Sequence, residues 1–262
     1  MTHARPYTTQ LQAGLGLVDE TKILLDLWSS GMSGVDLNKT ALGSGAFPNM
    51  SARRIRNIVI ECFAPRYLRH AAYPARLLKA LLPHLAAGEL VQLLFLYTCR
   101  ANPVLADFVR EIYWDRYTSG AERVLKEDAR GFIRRAIDDG KTVKRWSEST
   151  IIRVSNYLLG ACADFGLLGH RDRSGRRIVP FRIENKIVAI LAQELHSQRI
   201  GDNSLVSHED WRLFGLDAKD VRSELRRLTL TGQIILQAAG NVTHIGWKHR
   251  TMQEFVDDFA QG

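Results

Sequence analysis

The chain has 262 residues, of which 45% are hydrophobic and 24% are charged, and its formal net charge is +8. This composition excludes a disordered or collagen-like chain, because it supplies a substantial apolar core and shows no low-complexity tract. The length fits one to three domains, and the excess of lysine and arginine favours an anionic partner such as nucleic acid.

Basic residues are concentrated in the middle of the chain. Residues 1–118 contain 13 basic and 9 acidic side chains, residues 119–184 contain 14 and 9, and residues 185–262 contain 9 and 10. Phosphate groups attract clustered lysine and arginine. We therefore expect the middle segment to provide most of any anion-binding surface.

The longest apolar stretch, residues 77–99, is interrupted by Lys79, Pro83 and Glu89. A membrane span needs about 20 mostly apolar residues, so this stretch predicts two buried amphipathic helices with a break at Pro83 or Gly88. The start of the chain is polar and does not resemble a signal peptide. We therefore expect a cytoplasmic protein with no membrane partner.

The sequence shows no pattern that is typical of a catalytic or metal site. Cys62, Cys99 and Cys162 are far apart, so they are expected to be buried, reduced thiols. The eight histidines are scattered, and neither a Gly-rich phosphate loop nor a nucleophile elbow is present. We therefore expect no metal and no cofactor, and a binding protein that is not an enzyme.

Apolar periodicity predicts an all-helical bundle for residues 1–118. Its expected helices cover residues 11–28, 35–42, 51–63, 75–82, 89–99 and 103–117, with a break at residues 65–73. Ser51 is the expected N-cap of the third helix, whose first turn carries Arg53, Arg54 and Arg56. Cations at this position oppose the helix dipole. This helix is therefore either the DNA-binding helix of a helix-turn-helix motif, or its arginines form a solvated basic face.

Residues 119–184 predict a winged helix, a helix-turn-helix variant that ends in a β-hairpin. Short helices are expected at 121–129 and 132–138, followed by a long helix that begins at Ser147 and by strands at 167–171 and 176–183. Arginine and asparagine on the long helix can contact base edges, and arginines around the hairpin turn suit phosphates. The candidate DNA contacts of this segment are Arg153, Asn156, Arg171, Arg173, Arg176 and Arg177. A surface helix followed by a solvated turn is the alternative.

Residues 185–262 repeat this order of elements without convincing sequence identity to the preceding segment. Helices are expected at 184–197, 211–214 and 217–230, with a loop at 201–204, a hairpin formed by 234–238 and 242–247, and a final acidic helix at 252–259. Lys219, Arg222 and Arg226 share one face of the 217–230 helix. They are the equivalent candidate DNA contacts of this segment.

Several blocks near the N-terminus carry a family resemblance. They are Tyr7–Leu11 with Gly14–Leu17, Glu20–Thr21, Leu27–Trp28, Gly45–Asn49 with Ser51–Asn57, and Cys62–Leu68. Over residues 7–68 the sequence resembles the BrxA family, a component of BREX (bacteriophage exclusion) systems. The resemblance implies a cytoplasmic, non-catalytic defence protein that binds DNA and has a mostly helical fold likened to the antitermination factor NusB.

Together these patterns predict a mainly α protein with two small β-hairpins. Its expected domains are an N-terminal helical bundle (1–118), a winged-helix-like unit (119–184) and a second such unit with a C-terminal helix (185–262). The predicted function is non-enzymatic binding of double-stranded DNA in phage defence. Two alternatives stay open, namely an assembly adaptor that docks onto other BREX proteins and an RNA-binding protein of the NusB type.

Overall fold

A computed structural model describes residues 6–240 and 242–260, apart from the side chains of Gln12 and Ala13. The chain divides into two compact units. Unit 1 comprises residues 1–79 and 94–181, and unit 2 comprises residues 80–93 and 182–262. Both are mainly helical and carry a small antiparallel sheet, which confirms the predicted fold class. The predicted boundary near residue 118 falls inside unit 1.

The first part of unit 1 consists of short helices. They are the 3-10 turn Gln10–Ala13, α1 (Val18–Leu27), α2 (Gly34–Gly43) and α3 (Ala52–Arg56), which continues through the π-helix Asn57–Phe63 into α4 (Ala64–Tyr67). The predicted cap is confirmed, because the Ser51 hydroxyl accepts a hydrogen bond from the Arg54 N–H at 3.2 Å. The single helix predicted over residues 11–28 is wrong. Leu17 is left-handed (φ 52°), so the chain turns before α1 begins.

The longest apolar stretch, residues 77–99, is broken into separate helices, as predicted. It contains α5 (Arg69–Leu81), the 3-10 turn Leu82–His84 and α6 (Ala87–Ala101). The start of α5 includes His70, Ala71 and Ala72 with φ between 51° and 57°, so its regular part begins after them. The break predicted at 65–73 is therefore narrower than expected. Across residues 6–240 and 242–260, every helix is too short or too polar to cross a bilayer.

The remainder of unit 1 combines helices with a three-stranded sheet. Its elements are α7 (Pro103–Phe108), the π-helix Val109–Tyr113, α8 (Trp114–Thr118), β1 (Arg123–Leu125), α9 (Lys126–Asp138), α10 (Glu148–Asp164), β2 (Leu168–Arg171) and β3 (Gly175–Ile178). The strand order is β1-β3-β2, and both pairings are antiparallel. The helix predicted at 121–129 is wrong, because its first half forms β1. Val124 is buried opposite Arg176, and this cross-strand pairing cannot be seen in the local sequence.

Unit 2 has a related order of elements. They are α11 (Asn185–Ser197), α12 (Asp202–Val206), the 3-10 turn Glu209–Phe214, α13 (Ala218–Thr229), β4 (Ile234–Ala239), β5 (Val242–Trp247) and α14 (Met252–Phe259). The loop predicted at 201–204 is wrong, since α12 begins there. Side chains of α12 cover the edge of β5, because Asp202 and Asn203 accept hydrogen bonds from the backbone N–H groups of Ile245 and Thr243 at 2.9 and 2.8 Å. These bonds protect a strand edge that would otherwise be open.

Candidate nucleic-acid interface

Helix α10 has one buried face and one exposed face, as its sequence predicts. Ser147 caps the helix by accepting a hydrogen bond from the Thr150 N–H at 3.4 Å. The apolar residues at spacings of three and four are buried, namely Ile151, Val154, Leu158 and Cys162. Arg153 and Asn156 are exposed on the other side. The two candidate base-reading side chains therefore project from one accessible part of α10.

The N-terminal segment that precedes α1 covers the C-terminal half of that exposed face. Leu15 packs so closely on Gly160 that a Cβ atom at Gly160 would lie 2.6 Å from the Leu15 Cδ1. The Gly16 N–H donates a hydrogen bond to the Asp164 Oδ2 at 2.9 Å. Only the N-terminal half of the α10 face, around Arg153, is consequently open to a ligand.

The hairpin turn after β2 is held in one conformation by Asp172. Its carboxylate accepts hydrogen bonds from the N–H groups of Ser174 and Gly175 at 2.9 and 2.8 Å, and it forms an ion pair with Arg123. The hydrogen bond from Gly175, then the one from the Ser174 hydroxyl, lowers the pKa of Asp172. The carbonyl of Arg173 accepts a hydrogen bond from the Lys126 Nζ at 2.5 Å. Arg173 is thus presented from an ordered turn.

The arginines of the hairpin differ in their environment. Arg171, Arg173 and Arg177 are exposed. Arg176 is half-buried, and its Nη1 donates a hydrogen bond to the carbonyl of Gly169 at 3.0 Å. This side chain therefore links β3 to β2 across the hairpin, while its three neighbours are available to solvent anions.

Sequence reasoning missed two cations at this sheet, Arg123 and Lys126. Arg123 lies directly opposite Arg177 in the β1–β3 pairing, and both side chains are exposed. Like charges at directly opposed positions repel each other, and Asp172 offsets only part of that charge. A bound anion would offset the remainder. The sequence did not indicate Arg123, because it lies in a segment predicted to be helical and a helix has no cross-strand neighbours.

A polar cavity of unit 1 is lined both by the residue that follows α3 and by a residue of α10. Arg53, Arg54 and Arg56 are exposed at the start of α3. Asn57, at the end of that turn, and Tyr157, one turn after Arg153, line the same cavity of about 750 Å³. The structure thereby brings together Asn57 and Tyr157, which lie a hundred residues apart in sequence. The remaining functional groups of this cavity belong to Gln10, Glu61 and Arg69, beside the two threonines that precede Gln10.

Helix α13 of unit 2 presents fewer accessible cations than its sequence predicts. Lys219 and Arg226 are exposed, but the Arg222 Nε donates a hydrogen bond to the Thr243 Oγ1 of β5 at 2.9 Å. Arg222 therefore holds the hairpin of unit 2 against α13. On the neighbouring turn, Arg227 contacts Glu224 at 3.0 Å.

The net positive charge of the chain lies in unit 1. The sequence segments of unit 1 contain 26 basic and 16 acidic residues, a net charge of +10, whereas those of unit 2 contain 10 and 12, a net charge of −2. This contrast makes unit 1 the stronger candidate for binding a polyanion.

Chemistry beyond binding has little support among the described residues. They contain no group of three or more His, Cys, Asp or Glu side chains arranged to hold a metal ion. The three cysteines are buried and form no disulfide within residues 6–240 and 242–260, as predicted. Burial raises the pKa of the Cys162 thiol to about 12, so this thiol is protonated at neutral pH and is a poor nucleophile.

Comparison with known proteins identifies a family and a solved structure of similar fold. A profile of the BrxA family matches residues 5–194 of this chain. A crystal structure of an uncharacterized protein from Magnetospirillum magneticum is similar in fold, with a TM-score of 0.56 and 12% sequence identity, over 80% of this chain and 98% of that chain. No protein with a curated description matches the sequence.

Proposed function

This chain belongs to the BrxA family of BREX phage-defence components, and we propose that it acts in the cytoplasm by binding double-stranded DNA through unit 1, without catalysing a reaction. The observation that carries the proposal is the exposed N-terminal half of α10. It presents Arg153 and Asn156 beside a basic, structured hairpin in the unit that carries a net charge of +10.

The order of elements in unit 1 supports this proposal. Strand β1 is followed by helices α9 and α10 and then by the β2–β3 hairpin, and the three strands form one sheet in the order β1-β3-β2. This is the arrangement of a winged helix. In helix-turn-helix proteins the second helix lies in the major groove. By this analogy α10 is the recognition helix and the β2–β3 hairpin is the wing.

The proposed contacts fall into two classes. Arg153 and Asn156 on α10 are placed to contact base edges, where arginine pairs with guanine and asparagine with adenine. Arg173 and Arg177 in the hairpin are proposed to contact phosphates, as are Arg123 and Lys126, which the sequence alone did not indicate. Phosphate contacts determine affinity and position, whereas base contacts determine specificity.

A double charge reversal in the hairpin tests the proposal. Arg173→Glu with Arg177→Glu should abolish or greatly weaken binding to a duplex in a fluorescence-anisotropy titration. In the milder Arg173→Gln, Arg177→Gln variant, the slope of log K against log salt should fall by about 2, because two phosphate contacts are lost. Unchanged affinity in the Glu variant would refute the assignment of the hairpin.

A matched control separates local contact from overall charge. The side chains of Arg199 and Arg212 in unit 2 are exposed and form no hydrogen bond or ion pair within residues 6–240 and 242–260. Changing both to Glu alters the net charge of the protein by the same amount. The control should retain most of the duplex affinity. An equal loss would mean that binding depends on net charge alone.

A second candidate function, assembly with other BREX proteins, is favoured by the surface of unit 2. Ile235 and Val242 are 68% and 64% exposed and project from the same side of the β4–β5 hairpin. Two large apolar side chains on a unit of low net charge suit a protein contact better than a polyanion. Co-purification after nuclease treatment, compared with an Ile235→Asp, Val242→Asp variant, tests this candidate.

RNA binding is separated from DNA binding by competition. A labelled duplex bound to the protein is challenged with unlabelled DNA duplex and with structured RNA at one stated salt concentration. The major groove of double-stranded RNA is too deep and narrow for a helix such as α10 to read, so a protein that reads DNA in this way should not prefer RNA. Preferential displacement by RNA would therefore favour the NusB-type alternative.

A further inference from the structure

The polar cavity of unit 1 has walls from three segments that are distant in sequence. They are the 3-10 turn Gln10–Ala13, the π-helix Asn57–Phe63 and α10. Arg69, at the start of α5, lines the cavity as well. The cavity volume is about 750 Å³. Its position is fixed by the packing of Leu15 on Gly160 and by a hydrogen bond of 2.6 Å from the Arg66 Nη2 to the Gly14 carbonyl.

Four of the side chains that line this cavity have no partner in the part of the chain that the structure describes. Within residues 6–240 and 242–260, the side chains of Asn57, Glu61, Arg69 and Tyr157 form no hydrogen bond or ion pair. The backbone beyond Arg69 is also strained, because His70, Ala71 and Ala72 are left-handed. Strained backbone tends to occur next to functional sites. Unpaired donors, acceptors and a ring that converge on one cavity indicate a polar, planar ligand.

The chemistry of these groups corresponds to that of a nucleotide. The amide of Asn57 offers a donor and an acceptor, the combination that recognises adenine, and the Glu61 carboxylate accepts a hydrogen bond from an exocyclic amine. The Tyr157 ring provides a surface on which a base can stack. Arg69 supplies a cation for the phosphate. Adenine, cytosine and guanine each carry an exocyclic amine, which thymine lacks. Among them, the Asn57 amide favours adenine.

We propose that this cavity binds a single unpaired nucleotide with an amino-bearing base, adenine above all, an inference that rests on the proposed DNA binding by the same unit. Asn57 follows Arg53 by one turn of α3, and Tyr157 follows Arg153 by one turn of α10. DNA held by these arginines therefore passes the mouth of the cavity. The nucleotide is either a base extruded from the bound duplex or a free nucleotide, and both sources present the same base edge and phosphate.

The first arm of the test compares a fully paired duplex with the same duplex carrying one bulged adenine. The bulged duplex should bind at least about tenfold more tightly, because its base is already out of the stack. The Asn57→Ala, Glu61→Gln variant should reduce the ratio of the two affinities towards one. Asp139→Asn removes one exposed carboxylate elsewhere in unit 1 and should leave the ratio unchanged.

The second arm titrates deoxyadenosine monophosphate into the protein by calorimetry. Binding of the nucleotide that the Asn57→Ala, Glu61→Gln variant loses would assign the cavity to a free nucleotide. The cavity proposal is overturned if the wild-type protein shows neither a preference for the bulge nor nucleotide binding, or if the variant retains both. Failure of the proposed function looks different, because the wild-type protein would then bind neither duplex, while the calorimetric arm would still test the cavity.

Discussion

The strongest structural prediction concerns Gly175, where β3 crosses β1. A Cβ atom at this position would lie 2.2 Å from the Val124 carbonyl oxygen and 2.9 Å from the Leu125 Cα. These are backbone atoms and cannot rotate away. Gly175→Ala therefore either separates β1 from β3 or leaves an overpacked contact between them.

The cost of this change follows from the bonds at the β1–β3 border. Separation breaks the backbone hydrogen bonds from Ile178 to Glu122 and from Lys126 to Ser174, both 2.9 Å, and each contributes about 0.5 to 1.5 kcal/mol. Overpacking without separation costs about 1 to 3 kcal/mol. Either way we expect a loss of about 1 to 3 kcal/mol, which lowers the Tm of unit 1 by about 2 to 12 °C.

The assay for Gly175→Ala is thermal unfolding followed by circular dichroism. Gly169→Ala is the matched control on the neighbouring strand, because its Cβ would meet the nearest atom, the Val179 Cγ2, at an ordinary 3.4 Å. This control should unfold within about 2 °C of the wild-type protein, since a compatible Gly→Ala change is neutral or slightly stabilising. Equal Tm values for the two variants would refute the three-stranded sheet.

Two further predictions use single side chains. Asp217→Ala should destabilise unit 2 by about 0.5 to 2 kcal/mol in urea unfolding, because Asp217 caps α13. The hydrogen bond from the Asp220 N–H is the main cause that lowers the pKa of Asp217, so the stability that its carboxylate contributes is present above the unfolded pKa of about 3.9 and is lost as the pH falls through the lowered pKa. Asp217→Asn should lack this pH dependence. Arg176→Met should lower the free energy of unfolding by about 1 kcal/mol, because it removes the hydrogen bond to the Gly169 carbonyl. Arg177→Met should leave the stability unchanged and reduce the slope of log K against log salt for DNA binding by about 1. The opposite pattern would contradict the assignment of Arg176 to linking the strands and of Arg177 to contacting DNA.

Elements with a long local signal could be predicted from the sequence. Helix α10 has an N-cap at Ser147 and apolar residues at regular spacing, and its buried and exposed sides are those that this pattern predicts. The hairpin between β2 and β3 was indicated by its Ser-Gly turn. In such elements neighbouring residues determine the conformation, so local reading suffices.

Features that depend on distant contacts could not be predicted in the same way. Strand β1 has one buried residue, Val124, and exists because β3 lies beside it. The cavity brings Asn57 and Tyr157 together across a hundred residues, and no periodicity links them. The left-handed Leu17 likewise reflects the docking of the N-terminal segment on α10. Each of these features is determined by tertiary packing that overrides local propensity.

Counting charges along the chain also gave an incomplete view of the candidate interface. The count assigned equal weight to every arginine of the hairpin, but Arg176 donates to a carbonyl and Arg177 does not. It also divided the basic residues by sequence position, whereas the folded units divide them into +10 and −2. A polyanion responds to the cations that a folded unit leaves accessible. The exposed part of α10, the hairpin and the start of α3 all belong to unit 1, so a polyanion that contacts this unit can engage more than one of them.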